Sequence, residues 1–491
     1  MEKLYIACEF GPRTSRIMLG ALEHNTLKLG ELRRFETPVL VDKKTRQWNI
    51  PELFSQTLQG LIEIGAQDVN VAGISCHSWG GDYLLFDRDE ALLSPAYHFA
   101  DARSDKGRAE VLKKISPETL YAETGCPPRN GNTLFQLATE SARRLKQTRA
   151  MLPFADAFNH LLGGVACAEA SLASATQLYT PVTKSWSRRL LADLRLPQEF
   201  LPAIVPAGTR LGLLKREIGQ QTKLEGAQII ATCSNELAAS LSGLPHNHGS
   251  DWAYLRIGAE TLIGTEVGAP LINPLTHALG YANETCLGGA TNLYRRTVGL
   301  SILDECRRYW IERDRELCDD VLLHLATTTT PFETLIDVTD PRFAEPGDMP
   351  LKIQAYCSET GQEIPRKPGE LIRCVLESLA LHYRKIFLET ETLTGKKFAR
   401  VYLFGAGENN LLNHFVVNAL QVPAIIASPD AASIGNVVVQ ALTLGHIKSL
   451  EAAHEILQSS YKIQAIIPHH STWEVAAERL HEITNNVPVT A

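Results

Sequence analysis

Ile230-Ala-Thr-Cys-Ser-Asn-Glu-Leu-Ala-Ala-Ser-Leu-Ser-Gly243 lies almost midway along a chain of 491 residues. It opens as a short apolar strand, turns through small and polar residues, and continues as a small-residue helix start. Asn235 and Glu236 occupy the turn, where a strand-end loop can present them to a ligand. One half of the molecule hands over to the other here.

A chain of this length exceeds one ordinary core, so two large domains or three are expected. Hydrophobic content of 44% and charged content of 21% describe a soluble globular protein. The formal charge of -7 argues against nucleic acid as a partner. It leaves room for a small basic pocket that takes phosphates. No stretch reaches the roughly 18 apolar residues of a membrane span. The apolar run within Met1–Cys8 is too short for a signal peptide. The ten cysteines form no Cys-x-x-Cys pair and read as free, buried thiols. A cytoplasmic protein with no membrane partner is the expectation. The chain does not decide between monomer and homodimer.

Upstream of the central stretch, Leu4-Tyr-Ile-Ala-Cys8 reads as a strand and Ile17–Ala21 as a second, joined by a polar turn over Glu9–Arg16. That turn carries Gly11, Arg13, Thr14, Ser15 and Arg16. Such a turn can offer backbone N–H groups and side-chain donors to phosphate oxygens, or be an ordinary surface hairpin. Glu9 can position Mg²⁺ through water, or be a solvated strand end. Val69–Ser75 is a strand, Cys76-His-Ser-Trp-Gly-Gly-Asp82 a loop and Tyr83–Phe86 another strand. Trp79 offers a flat apolar wall and Asp82 a hydroxyl acceptor, as at a polyol-binding edge. The bland alternative has Trp79 packing and Asp82 capping a turn. From Pro117 to about His160 the text is helical. Glu169–Gln177 is small and polar, suited to close packing beneath a cleft.

Downstream, Trp252–Ile257 and the return through Glu266 form a second hairpin, whose turn begins at Gly258 and can cradle a terminal phosphate. Leu371 to about Leu393 is an amphipathic helix. Val401–Phe404 is a buried-type strand, followed by Gly405-Ala-Gly-Glu-Asn-Asn410 and a helix. A strand, a glycine turn containing Gly405, Gly407 and Asn409, and a helix start make a nucleotide cradle of low specificity. It is no P-loop, because no Gly-Lys-Ser/Thr follows. Two α/β domains, each opening on a strand–turn–strand phosphate-loop candidate, are the economical architecture.

Several strings together resemble one family. They are Ser78-Trp-Gly-Gly-Asp82, Asn132-Thr-Leu-Phe-Gln-Leu137, Ser174-Ala-Thr-Gln-Leu178, Asn283-Glu-Thr285, Glu377-Ser-Leu-Ala-Leu-His-Tyr-Arg384, Gly405-Ala-Gly-Glu-Asn-Asn410 and Ala432-Ser-Ile-Gly-Asn436. In order and spacing the chain resembles the FGGY carbohydrate kinases, and among them the rhamnulokinases. The resemblance implies the two-domain actin/hexokinase/Hsp70 fold (ribonuclease H-like α/β) with an interdomain cleft. It implies a sugar-binding domain over 1–228 and a nucleotide-binding domain over 229–491. It also implies phosphoryl transfer from ATP, with Mg²⁺, to a hydroxyl of a ketose bound near Trp79, Gly80 and Asp82.

The family places an Asp general base where this chain has Asn235. An amide can hold a hydroxyl but cannot take its proton as a carboxylate does. Glu236, the next residue, is the candidate replacement. Other departures gather in the same machinery. The usual Asp of the first loop is Glu9, and the usual Gly-Thr of the second phosphate loop is Gly258-Ala259. A nucleotide-side Asn and Gln are Arg296 and Asp304. Two readings follow: a carbohydrate kinase with rearranged carboxylates, or a homologue that binds a sugar or sugar phosphate in a regulatory or sensing role.

Overall fold

In a computed structural model the chain is described over residues 2–246, 251–313, 319–405, 410–461, 464–469 and 472–486. It divides into two compact units. The first comprises Met1–His248, Glu266–Leu293 and Asp430–Lys462; the second comprises Gly249–Thr265, Tyr294–Pro429 and Ile463–Ala491. Among the described residues no helix is long and apolar enough to cross a membrane.

The first unit is built on a six-stranded sheet. Its spatial order is Thr209–Leu213, Gln228–Ala231, Val71–Ser78, Lys3–Phe10, Thr14–Glu23 and Thr26–Glu36. The strands Lys3–Phe10, Val71–Ser78 and Gln228–Ala231 run parallel, and the others join antiparallel. Both faces of the parallel strands are apolar because both are covered. Ile6, Cys8, Ile74, Cys76 and Ile229 share a core with Leu53 and Leu61 of the helix Ile50–Gly65 and with Phe154 and Phe158 of the helix Phe154–Leu162. On the other face Tyr5, Ala7 and Met18 pack with Ile434, Val437 and Ala441 of the helix Ala431–Thr443.

Three sequence expectations are corrected here. The first hairpin is tighter than read: Glu9 and Arg16 are cross-strand partners and not turn residues. The Gly11 N–H donates to the Thr14 carbonyl at 3.1 Å, which closes the turn within four residues. The strand expected to end at Ser75 continues to Ser78, because the Ser78 N–H donates to the Ser234 carbonyl at 2.9 Å. The stretch read as helical from Pro117 contains the strand Ala150–Pro153, which pairs antiparallel with Tyr83–Phe86. Its apolar run is too short for periodicity to separate strand from helix.

The helix Glu236–Ser242 crosses Ala431–Thr443 at glycines. A Cβ at Gly435 would lie 1.9 Å from the Ala239 carbonyl oxygen, and one at Gly243 would lie 2.1 Å from that of Ala431. Backbone meets backbone there, which is what the glycine of Ala432-Ser-Ile-Gly-Asn436 supplies.

The second unit repeats the theme. Trp252–Ile257 pairs antiparallel with Glu260–Val267 and parallel with Arg400–Gly405, which in turn pairs parallel with Ala424–Ile426. The amphipathic helix expected from Leu371 runs Pro368–Thr394. Its Val375, Leu379 and Ile386 enter one core with Leu255, Ile263 and Leu403.

Candidate functional site

In open α/β sheets, ligands gather at the carboxyl ends of parallel strands. In the first unit three such ends lie side by side. Lys3–Phe10 delivers Glu9, Val71–Ser78 delivers His77 and then the Trp79–Asp82 loop, and Gln228–Ala231 delivers Ser234 and Asn235.

The Trp79–Asp82 loop is organised by Asp82, which is 1% exposed. Its Oδ2 accepts from Trp48 Nε1 at 2.7 Å, Trp79 Nε1 at 3.0 Å and the Phe99 N–H at 3.3 Å. Its Oδ1 accepts from Gln136 Nε2 at 2.8 Å. Burial pushes its carboxyl up to about 6, against the opposing pull of these donors. Asp82 therefore fixes two indoles. Trp79, half-buried, is held between Trp48 and Phe154 at centroid distances of 4.8 and 4.5 Å. Gly81 takes φ of +104°, and a side chain there would strike the Gly131 carbonyl.

Gly80 is pinched. A Cβ at this position would lie 2.8 Å from Ala175 Cβ and 3.7 Å from Asn235 Nδ2. Residue 235 thus stands beside the loop that carries Trp79. Asn235 is the N-cap of the helix Glu236–Ser242: its Oδ1 accepts from the Leu237 N–H at 2.9 Å and the Ala238 N–H at 3.5 Å. Oxygen faces the helix, so the NH₂ group is the end left for a ligand. Glu236, half-buried, is the first residue of that helix, and its carbonyl accepts from Ser240 Oγ.

Glu9 lies in a charge cluster. It receives Arg16 Nε at 3.0 Å on one oxygen and Arg16 Nη2 at 2.8 Å on the other, which also accepts from Ser433 Oγ at 2.7 Å. Arg16 Nη1 donates to Asp430 at 2.6 Å and lies 3.5 Å from Glu31. Burial works to raise the Glu9 carboxyl, but His77 and Arg16 overcome it and hold it well below the usual range. Both oxygens are engaged by a cation already, and this set does not fit a divalent metal ion. Among the described residues there is no group of three or more His, Cys, Asp or Glu placed to hold one.

His77 faces this cluster with a fixed tautomer. Gln440 Nε2 donates to the Ile6 carbonyl at 2.9 Å and to Asn436 Oδ1 at 2.7 Å, so Asn436 turns its NH₂ toward Thr232 and His77 Nδ1, at 3.0 and 3.1 Å. The imidazole proton is then on Nε2, 3.6 Å from Glu9.

The remaining predicted residues are placed as follows. Arg13 is exposed at the first hairpin and Thr14 begins its second strand. In the second unit Gly258 and Gly405 are neighbours, at adjacent carboxyl ends: Ile257 pairs with Gly405. A Cβ at Gly405 would strike the Ile257 carbonyl at 2.2 Å. The Gly258 and Ala259 carbonyls accept from Leu300 and Gly299 N–H groups at 2.7 and 3.2 Å, tying the turn to the start of the helix Ser301–Ile311. Arg296 pairs with Glu260 at 2.9 Å beside it. Gly407 and Asn409 lie outside the described residues.

Sequence reasoning missed Trp48, Gln136, Asp156 and Glu169 as participants. For the last two a signal existed. Each is a lone carboxylate in otherwise apolar or small-residue text, and such a residue is buried only when hydrogen-bonded.

Two family models match the chain: the N-terminal domain of the FGGY family of carbohydrate kinases over residues 16–243, and the C-terminal domain of that family over 254–444. The chain is 31% identical to a rhamnulokinase of Enterococcus faecalis, covering 94% of this chain and 93% of that one. It is 29% identical to a rhamnulokinase of Bacteroides thetaiotaomicron, covering 97% and 98%. Among solved structures it superposes on a gluconate kinase from Lactobacillus acidophilus with a TM-score of 0.82 at 16% identity, over 100% of this chain and 99% of that one. A Plasmodium falciparum glycerol kinase with ADP matches with the same score at 12% identity, over 100% and 99%. The chain belongs to the FGGY family of carbohydrate kinases, and its fold is the mixed α/β fold of that family.

Proposed function

We propose that this FGGY carbohydrate kinase binds a ketose, L-rhamnulose being the first candidate, against Trp79 and Gly80, and phosphorylates one of its hydroxyls from ATP. The observation that carries the reading is the approach of Asn235 Nδ2 to Gly80, which sets a polar end group beside the loop that carries the half-buried Trp79. The apolar indole face covers the ring or chain carbons of the sugar. The Asn235 amide donates to a hydroxyl oxygen and orients it. In the second unit, the adjacent turns at Gly258–Ala259 and Gly405 take the nucleotide, with Arg296 beside them.

Phosphoryl transfer asks chiefly for positioning and charge stabilisation, so a site without a carboxylate base retains part of its rate. Mg²⁺ supplies charge neutralisation on the phosphates, and on this reading it arrives with the nucleotide and not on Glu9. The hydroxyl proton passes to water or to Glu236.

A second reading is favoured by the same cap. Asn235 Oδ1 is engaged by the helix, so this side chain offers the hydroxyl a donor and not an acceptor. A protein of this kind binds a sugar or sugar phosphate and turns it over slowly, in a sensing or regulatory role. ATP turnover with a panel of ketoses and polyols, paired with calorimetric sugar binding, separates the two. Turnover above background that Glu236→Gln abolishes supports the enzyme with a displaced base. Background turnover with sugar still bound supports the sensor. No binding by any sugar overturns both.

A further inference from the structure

Beneath the Asn235 turn lie two carboxyl groups that the proposed chemistry does not use. Asp156, on the helix Phe154–Leu162, is 2% exposed, and Glu169, at the end of the strand Cys167–Glu169, is 1% exposed. Among the described residues neither has an ion-pair partner. The two carboxyl groups face each other, and the other ionisable groups that face them are thiols and a phenol: Cys76 from the strand Val71–Ser78, Cys167, Cys233 and Tyr179. Burying two carboxyl groups without a cation is costly unless donors surround them.

The donors come from the site. Glu169 Oε2 accepts from the Ser234 N–H at 2.9 Å, the Ser171 N–H at 3.0 Å and the Ser171 hydroxyl. Asp156 Oδ1 accepts from Ser234 Oγ at 2.7 Å, and its Oδ2 from the Glu169 N–H at 2.9 Å. The Asn235 N–H donates to Ser171 Oγ at 3.1 Å, which obliges the Ser171 proton to point at Glu169. An unbroken donor chain thus runs from the Asn235 backbone to the carboxylate.

Glu169 also caps the short helix Ala170–Ser174. Ala175, the next residue, forms one side of the pinch at Gly80, and Asn235 forms the other. One carboxylate therefore sets both jaws.

We propose that Asp156 and Glu169 are positioning residues that hold Asn235 against Gly80 and so fix the sugar end of the site. This rests on the reading of that turn as the sugar site. A glutamine at 169 is a poor substitute. Its NH₂ group would meet backbone N–H donors, because the carboxyl of Glu169 is also faced by the Leu172 N–H. Burial pushes Glu169 up to about 7, so its full acceptor capacity develops as pH rises through neutrality.

The test uses the full chain, wild type and Glu169→Gln. L-Rhamnulose affinity is measured by calorimetry from pH 6 to 8, and hydrogen exchange is followed in peptides covering 230–242 and 371–393. The expected result is an affinity that rises through pH 7 in the wild type, and in the variant an affinity at least tenfold weaker and without that rise. Exchange in 230–242 should be at least tenfold faster, with 371–393 unchanged. Unchanged exchange in 230–242, or a pH profile parallel to wild type, overturns the proposal. If wild type binds no L-rhamnulose, the sugar assignment is what fails, and the exchange arm still decides the positioning role. If Glu169→Gln does not fold, Ser171→Ala keeps both carboxylates and removes only the hydroxyl link. About threefold faster exchange at Asn235 is then expected, and no change overturns the proposal.

Discussion

The two ends of the first unit's strand-end surface are built on opposite electrostatic plans. Around Asn235 and Gly80, the hydrogen-bond donors that the described residues bring to the buried carboxyl groups are neutral: indoles, amides, hydroxyls and backbone N–H groups. Around Glu9, carboxylates and a guanidinium cancel one another, with Arg16 reaching Glu9, Asp430 and Glu31. A neutral-donor network defines geometry and leaves its outer faces free to meet an uncharged sugar. A closed ion-pair cluster offers little to a divalent cation. At 235 a neutral amide stands in a frame of neutral donors, whereas at position 9 the local charge is already balanced within the protein.

The sharpest break of that contrast is Asn235→Asp. A carboxylate accepts from the Leu237 and Ala238 N–H groups as the amide does, so the cap survives and stability should change by under about 0.5 kcal/mol. If the frame is otherwise competent, supplying a general base there should raise ATP turnover with the right ketose by about 10²–10⁴-fold. A coupled kinetic assay reads this directly. Unchanged turnover would mean that the missing base is not what limits this site, and would locate the defect at Glu9 or in the second unit.

Next in size is Asp82→Asn. The carboxylate satisfies four N–H donors, and an amide must point its own NH₂ at one of them. A loss of roughly 2–4 kcal/mol in denaturant unfolding is expected, with weaker sugar binding as Trp79 loosens. The pH dependence has a definite sign. The folded pKa of Asp82, about 6, is raised above the ordinary aspartate value of 3.8. Its favourable contribution is therefore complete below about pH 4 and is lost as pH rises through about 6. Wild-type stability should carry that downward component between pH 4.5 and 7.5, and Asp82→Asn should lack it. Parallel curves would mean that the neutral donors outweigh burial and keep the group ionised throughout.

Much of this was legible without coordinates. Strand–turn–strand patterns, the helix Pro368–Thr394 and the turn at Asn235 follow from periodicity and small-residue text. The Trp79–Asp82 loop could be picked out, because an aromatic and a carboxylate between two strands is a site-like pairing. What could not be read was the direction of each polar group. Asp82 looks the same in sequence whether it meets a sugar hydroxyl or two indoles, because Trp48 and Gln136 are distant in the chain. Glu9 looks like a strand end until Arg16 is found opposite it, and that depends on a hairpin only a few residues tighter than expected. Asp156 and Glu169 acquire meaning only when the helix Phe154–Leu162 and the strand Cys167–Glu169 meet the Ser234 turn.

The smallest expected effect belongs to the cluster itself. In Glu9→Gln, Arg16 keeps Asp430 at 2.6 Å and the more distant Glu31, while the amide can still accept one guanidinium N–H. The cluster loses one charge and keeps most of its bonds, so a cost of about 1–2 kcal/mol in denaturant unfolding is expected. A companion measurement decides whether the balance is real. Without nucleotide, millimolar Mg²⁺ should shift the thermal midpoint of wild type by less than about 1 °C, because a cation entering at Glu9 must displace Arg16. Stabilisation by Mg²⁺ in wild type that disappears in Glu9→Gln would show that Arg16 yields to the metal. The two ends of the surface would then differ in their resting state alone, and not in what they can bind.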